Sequence, residues 1–297
     1  MDRRKFMTSC VAATTLPALA IGQTNKKYRW TSVDLTALNQ ALVELERTSR
    51  GRIGVGLLDT ASGQVTSYRG DERFLMLSTF KTLAAAYILA RSDQGVDKLT
   101  RRMSITDADI LEYAPVTRRH IGPQGMTLAE LCHATITTSD NTAANLMHRS
   151  YGGPQALTQF IRSLGDTVTR HDRYEPELNK PNASEPMDTT SPNAMTSTLN
   201  TLLFGTALKP ESRQLLQSWL KANTTGDRRL RAGIPPNWIV GEKTGTASIG
   251  ANDAGFVQAP GGAAVIASVY LETDAIAGPE RDQIIATVGK RVADLMR

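Results

Sequence analysis

Cysteine is nearly absent. The chain has two in 297 residues, Cys10 and Cys132. Only Cys132 lies beyond the first twenty, and one thiol cannot close an internal disulfide, so the fold stands without that staple. Its expected state is a buried, unreactive thiol in a helix around Leu131. Histidine is almost as scarce: His120, His133, His148 and His171 show none of the paired spacings of a zinc site. No stretch of about 18 apolar residues marks a membrane span. No clustered basic run supports nucleic-acid binding, and there is no internal repeat or low-complexity segment. What is left is an ordinary globular composition, long enough for one large core or two modest ones.

Residues 1–20 stand apart. Asp2-Arg3-Arg4-Lys5-Phe6-Met7 precedes a weakly apolar run from Cys10 to Ala20 that ends in Ala18-Leu19-Ala20, a small-x-small cleavage pattern. The arginine pair followed by Lys-Phe-Met resembles a twin-arginine export signal; a Sec signal with a basic start is the other reading. Both imply export, to the bacterial periplasm. Cys10 has no apolar run before it, which argues against a lipid anchor. Removing the segment takes away three basic residues and one acidic, and the formal charge falls from +5 to +3.

In the remainder, Leu35, Leu38, Ala41, Leu42 and Leu45 recur at helical spacing after a Ser/Thr start, predicting a helix over 32–49. Arg52–Asp59, a Gly-containing turn and Gln64–Tyr68 read as a hairpin; the Gly-x-Gly inside it lacks the rest of a nucleotide fingerprint. Helical patterns then run over 78–91, 128–138, 141–148, 155–164, 193–204 and 211–222. They are broken by a polar, Pro-containing stretch from Gly165 to Pro192, too long for an ordinary connection. Strands return at 238–242, 255–258 and 263–272, and a helix over 279–296 ends the chain. Strands at both ends must meet in one sheet. The expected fold is therefore α/β (α+β): an antiparallel sheet from both chain ends flanked by helices, plus an all-helical lobe, with a ligand site in the cleft between them. As one domain over 21–297, the α/β lobe would take about 28–69 and 213–297, and the helical lobe about 70–212.

Four short motifs carry chemistry. Ser78-Thr79-Phe80-Lys81 places a hydroxyl and an amine three residues apart at the head of an Ala-rich helix, within reach of each other. An amine held there can take the serine proton. Ser218-Trp219-Leu220-Lys221 fits the same pattern late in another helix. Ser139-Asp140-Asn141 opens a helix. Glu175-Pro176-Glu177-Leu178-Asn179 lies in the long polar loop, and Lys243-Thr244-Gly245-Thr246 follows the strand ending at Glu242. Each alone is weak, and Ser191-Pro192-Asn193 is a decoy for the second. Glu175 with Glu177 also resembles a glycosidase carboxylate pair, with Glu177 better read as a structural loop residue.

Together and in this order, Ser-x-x-Lys, Ser-Asp-Asn and Lys-Thr-Gly are a signature of class A β-lactamases and penicillin-binding proteins. The resemblance to class A serine β-lactamases extends over the whole mature chain. It takes in Tyr113-Ala114-Pro115-Val116-Thr117 at the cleft rim, Thr138 to Leu146, Arg173 to Asn179 with Asp188 to Pro192 as the Ω-loop, and Trp238 to Thr246.

That resemblance implies a hydrolase of penicillins and cephalosporins that works through an acyl-serine, with no metal or cofactor. Ser78 would be the nucleophile, with Lys81 beside it. Ser139 would relay a proton to the leaving nitrogen, and Glu175 with Asn179 would activate the deacylating water. Whether Lys81 or Glu175 is the base for acylation stays open. The backbone amides of Ser78 and Thr246 would form the oxyanion hole. Substrate contacts would come from Asn141, Lys243, Thr244, Gly245, Thr246, Tyr113 and Arg229, and an Arg173–Asp188 pair would tie the Ω-loop.

Two disulfides found in relatives are ruled out, because their positions are Leu77 with Ala247 and Ala85 with Cys132. Thr246, Arg229 and the segment 220–227 resemble the carbapenemase branch, so carbapenem activity is undecided. The implied partners are β-lactam small molecules, with no nucleic acid and, once the signal is removed, no membrane; a monomer is expected. A D,D-peptidase and a β-lactam-binding sensor domain are the competing readings.

Overall fold

The computed structural model describes residues 27–297. The export segment 1–20, with its twin arginines and Cys10, lies outside the described residues.

Thr31 and Asp34 cap each other's backbone N–H groups at the start of α1 (Ser32–Ser49), closing two otherwise unpaired donors. The chain then pairs β1 (Arg52–Asp59) with β2 (Val65–Tyr68). A short strand β3 (Phe74–Leu75) and a 3₁₀ turn (Leu77–Thr79) lead into α2 (Phe80–Asp93). A bulged hairpin follows, β4 (Arg102–Ile105) with β5 (Gly122–Thr127), then α3 (Leu128–Thr137), α4 (Asn141–Tyr151) and α5 (Pro154–Ser163). The long polar stretch contains β6 (Thr189–Thr190), which pairs with β3, and ends at α6 (Pro192–Leu203). After α7 (Pro210–Lys221) and the one-turn α8 (Leu230–Gly233) come β7 (Ile239–Ala247), β8 (Gly250–Gln258) and β9 (Ala264–Glu272), and α9 (Gly278–Leu295) closes the chain.

The main sheet has the order β2-β1-β9-β8-β7, antiparallel throughout, so the first and last strands of the chain are neighbours at its centre. Both faces of β9 are buried, and its side chains divide by the two-residue period of a strand. Val265, Ala267, Val269 and Leu271 join Ile53, Val55 and Leu57 in a core covered by α1, α8 and α9. Ala264, Ile266 and Tyr270 join Phe256 in a second core with α2 to α7. Within that core α2 is buried on nearly all sides from Phe80 to Ala90. Such a helix owes its stability to packing rather than to an amphipathic face. Cys132 sits in the same core, and burial pushes its thiol pKa far up.

Several boundaries differ from the sequence expectation: the strand expected over 255–258 begins at Gly250, and the helix expected over 141–148 runs to Tyr151. The strand expected to end at Glu242 continues to Ala247, so Lys243-Thr244-Gly245-Thr246 lies inside β7, paired residue for residue with Ala254 to Ala251 of β8. Polar side chains hid it; the ladder and burial from Val240 to Gly245 make it a strand. Ser78 lies in the 3₁₀ turn just ahead of α2 rather than in the helix itself.

Candidate active site

Three elements converge on Ser78. Beneath it, Lys81 is fully buried. Its Nζ donates to Ser78 Oγ at 3.0 Å, Ser139 O at 2.9 Å, Ser139 Oγ at 3.3 Å and Asn141 Oδ1 at 2.6 Å, and stands 3.1 Å from Glu175 Oε1. Five oxygens compete for at most three protons. Burial lowers the Lys81 pKa, with Glu175 and Asp140 opposing the shift.

Ser139 is held by its neighbours. It takes a left-handed backbone, φ +62°, next to Asp140, whose carboxylate caps α4 at Ala143 N (2.9 Å). The same carboxylate accepts from the amides of Val116 and Thr117. A buried carboxylate with that many N–H donors fixes the turn. Ser139 Oγ thereby meets a second buried amine, Lys243 Nζ, at 3.0 Å; Lys243 also donates to Thr244 O. Burial, helped by the charge of Lys81, pushes the Lys243 pKa well below its ordinary value.

Glu175 arrives from the long loop. Asn145, one helical turn past Asn141 on α4, brackets its backbone: Asn145 Nδ2 donates to Glu175 O at 2.9 Å, and Glu175 N donates to Asn145 Oδ1 at 3.0 Å. Asn179 Nδ2 donates to Glu175 Oε2 at 2.7 Å. The peptide before Pro176 is cis. Glu175 Oε1, apart from its ion pair with Lys81, and Asn179 Oδ1 are buried with no hydrogen-bond partner. At the neck of the loop Arg173 Nε donates to Asp188 Oδ2 at 2.6 Å, and the amides of Asp172 and Arg173 donate to Oδ1. Burial nevertheless raises the Asp188 pKa.

Above these buried groups opens a cavity of about 390 Å³ lined by Ser78, Tyr113, Ser139, Asn141, Asn179, Thr225, Thr244 and Thr246. A somewhat larger cavity, about 490 Å³, lies between the loop base and the ends of β1 and β9; no motif residue lines it. Arg229 does not line the site cavity. It is buried, and its guanidinium donates to Asp282, to the carbonyls of Gly245 and Asn252, and through Nη2 to Thr246 Oγ1 at 2.7 Å. Its charge therefore meets the site at the Thr246 hydroxyl. Ser218, the other Ser-x-x-Lys match, instead bonds back to Leu215 O on its own helix.

Sequence reasoning did not single out Thr225, whose hydroxyl meets Thr244 Oγ1 at 2.5 Å, nor Asn252, which donates to the carbonyls of Leu75 and Met76. It also gave no role to Asn145, although the four-residue spacing from Asn141 was a usable signal. Among the described residues no group of three or more His, Cys, Asp and Glu could hold a metal ion.

A serine joined through a buried lysine, a second serine and a second lysine, with a loop carboxylate brought against the first amine, is the arrangement of a serine acyl hydrolase. The sequence model of the Beta-lactamase enzyme family matches residues 37–296. The chain is 46% identical over 302 residues to β-lactamase L2 of Stenotrophomonas maltophilia, covering 99% of this chain and 98% of that one. It is 42% identical over 258 residues to β-lactamase CTX-M-8 of Citrobacter amalonaticus, covering 86% and 88%. Its structure matches that of an ancestral class A β-lactamase with a TM-score of 0.84 at 54% identity, covering 86% of this chain and 99% of that one. The chain belongs to the class A β-lactamases. It is an enzyme that hydrolyses β-lactams, an activity that gives antibiotic resistance.

Proposed function

We propose that this enzyme acts in the periplasm, as a monomer, opening penicillins and cephalosporins through an acyl intermediate on Ser78. Every residue needed comes from one chain, and the export-type first twenty residues support the location. Ser78 attacks the strained amide carbonyl. Its proton leaves either to Lys81, at 3.0 Å, or toward Glu175, which stands 3.1 Å beyond that amine. Ser139 Oγ accepts from both Lys81 and Lys243, which leaves its own O–H free to protonate the departing nitrogen. The amides of Ser78 and Thr246 receive the oxyanion. Lys243, Thr244 and Thr246, backed by Arg229, receive the substrate carboxylate.

One observation carries the hydrolytic half of the reaction. Glu175 is buried with Oε1 against Lys81 and Asn179 on its other oxygen, and two oxygens that accept no hydrogen bond, Glu175 Oε1 and Asn179 Oδ1, are suited to hold a water. A D,D-peptidase or a sensor that stays acylated has no use for that carboxylate. The test is intact-mass spectrometry of Glu175→Ala mixed with a penicillin. A penicilloyl adduct on Ser78 that persists while turnover collapses is expected. Undiminished steady-state hydrolysis would end the deacylation role. Size-exclusion chromatography with light scattering tests the monomer, and cell fractionation tests the location.

A further inference from the structure

Two histidines that the reaction does not use are buried side by side behind the site. His148 of α4 and His171, at the start of the Ω-loop neck, are 0% and 1% exposed. Their Nε2 atoms are 2.9 Å apart. Tyr151 OH lies 2.6 Å from His148 Nδ1, and His171 Nδ1 faces Asp188 Oδ1 at 3.5 Å. Phe80, between Ser78 and Lys81, stacks on both rings, with centroids 5.4 and 4.3 Å away.

The chemistry of imidazole restricts how protons can be arranged along this row. At that separation one proton must lie between the two Nε2 atoms, so the rings are opposite tautomers. If His171 gave its Nε2–H to His148, its Nδ1 would turn a bare lone pair on the Asp188 carboxylate. The other order has no such conflict. Tyr151 O–H donates to His148 Nδ1, His148 Nε2–H donates to His171 Nε2, and His171 Nδ1–H points at Asp188. Asp188 already accepts from Arg173 and two amides, so it serves as an acceptor. His171 Nδ1 has no hydrogen-bond partner, and the Asp188 carboxylate 3.5 Å away is the charge it faces.

We propose that His148 and His171 form a neutral, one-way hydrogen-bond relay from Tyr151 to His171, with the His171 Nδ1–H facing Asp188, and that this relay is a positioning pair for Glu175. Asn141, Asn145 and His148 follow one another at four- and three-residue steps along one face of α4. The first holds Lys81, the second brackets the Glu175 backbone, and the third anchors the loop four residues upstream of Glu175. Thr158 fixes the His171 backbone from α5, donating to its carbonyl and accepting from its amide. Asp188 O accepts from Met76 N, two residues before Ser78, so the relay ends where loop and nucleophile turn meet. The titratable groups facing the pair are Lys81 from α2, Tyr151 from α4, and Arg173, Tyr174 and Asp188 from the loop. Burial, with Lys81 nearby, pushes the His148 pKa down to about 3, and burial with His148 and Arg173 lowers that of His171 well below normal. Neither ring therefore charges at working pH.

The kinetic consequence rests on Glu175 acting in deacylation; the tautomers do not. ¹⁵N NMR of histidine-labelled enzyme, assigned with single His variants, should show His148 as the Nε2–H form and His171 as the Nδ1–H form, unchanged from pH 5 to 8. The reverse pair, equal tautomers or a charged ring would overturn the relay. His148→Leu and His171→Leu each strand a buried polar group. For a substrate limited by deacylation, each should cut kcat and KM together by about tenfold while kcat/KM holds within about twofold. The double variant His148→Leu/His171→Leu, in which Tyr151 O–H also loses its acceptor, should be no more impaired in kcat than either single variant. Single variants with wild-type kcat, or a double variant as impaired as the two losses combined, would overturn the pairing. Should Glu175→Ala keep full turnover, the deacylation reading fails and the NMR result still decides the relay.

Discussion

Gly245 is packed so closely on the nucleophile turn that a Cβ built there would stand 3.1 Å from Ser78 N and 2.8 Å from Leu77 Cβ. The glycine of Lys-Thr-Gly thus lets edge strand β7 lie against the backbone of Ser78. The two amides proposed to bind the oxyanion come from the residues on either side of that contact. Gly245→Ala should push strand and turn apart, lowering kcat/KM at least about tenfold and costing about 1–3 kcal/mol of stability. Steady-state kinetics alongside chemical denaturation would measure both. Wild-type kcat/KM in the variant would mean that the spacing is not needed.

Cys132 is the only cysteine among the described residues, and it is fully buried. Its thiolate is strongly disfavoured by burial, and the thiolate is the reactive form. An enzyme lacking the first twenty residues should leave a thiol-reactive disulfide dye unreacted at pH 8 and take up one equivalent once denatured. Rapid labelling of the folded enzyme would show that this helix opens readily.

How much of this was readable in advance depended on the range of the interaction. Ser78–Lys81, Asp140–Ala143 and Glu175–Asn179 are contacts within four residues, where spacing alone tells which groups meet. The extension of β7 through Lys243 to Ala247 was not readable from hydrophobic period, because its side chains are mostly polar or small and its partners are Gly250 to Ala254 of β8. The β4–β5 hairpin escaped for a related reason: its strands are short, one contains Gly and Pro, and a register shift interrupts the pairing. Arg229 was expected to contact the substrate directly, and the structure buries it behind Thr246 instead. Its hydrogen bonds to Asp282, Gly245, Asn252 and Thr246 depend on α9 and β8 arriving from later in the chain.

Those four acceptors give the next expectation. Arginine's planar fork can serve them at once, whereas a lysine of the same charge offers a single nitrogen. Arg229→Lys should leave Thr246 Oγ1 without its 2.7 Å donor and loosen the strand carbonyls behind it. KM for penicillins and cephalosporins should rise about tenfold with kcat less affected, the pattern of lost uniform binding. An unchanged KM would place the cationic corner in Lys243 and the threonine hydroxyls alone.

The residue before Lys243 offers a pH-dependent test that activity does not enter. Glu242 is fully buried, diagonal to Asp253 across the β7–β8 ladder, with Arg231 Nε 3.0 Å from its Oε1. Burial first, and then the Asp253 charge, raises its pKa well above the carboxylate range; burial raises that of Asp253 as well. The pair therefore holds a proton that the unfolded chain releases. The stability this gives is fully present below the unfolded value, about 4.3 for Glu, and is lost as pH rises through the folded value. One retained proton makes the slope about 1.4 kcal/mol per pH unit while the two states differ. Glu242→Gln cannot ionise, so its unfolding free energy from urea titrations at pH 5, 6, 7 and 8 should fall less steeply than that of the wild type. The two curves should separate progressively toward the alkaline end. Parallel curves would mean that Glu242 ionises alike in the folded and unfolded chain, and that Arg231 alone neutralises it beside the catalytic strand.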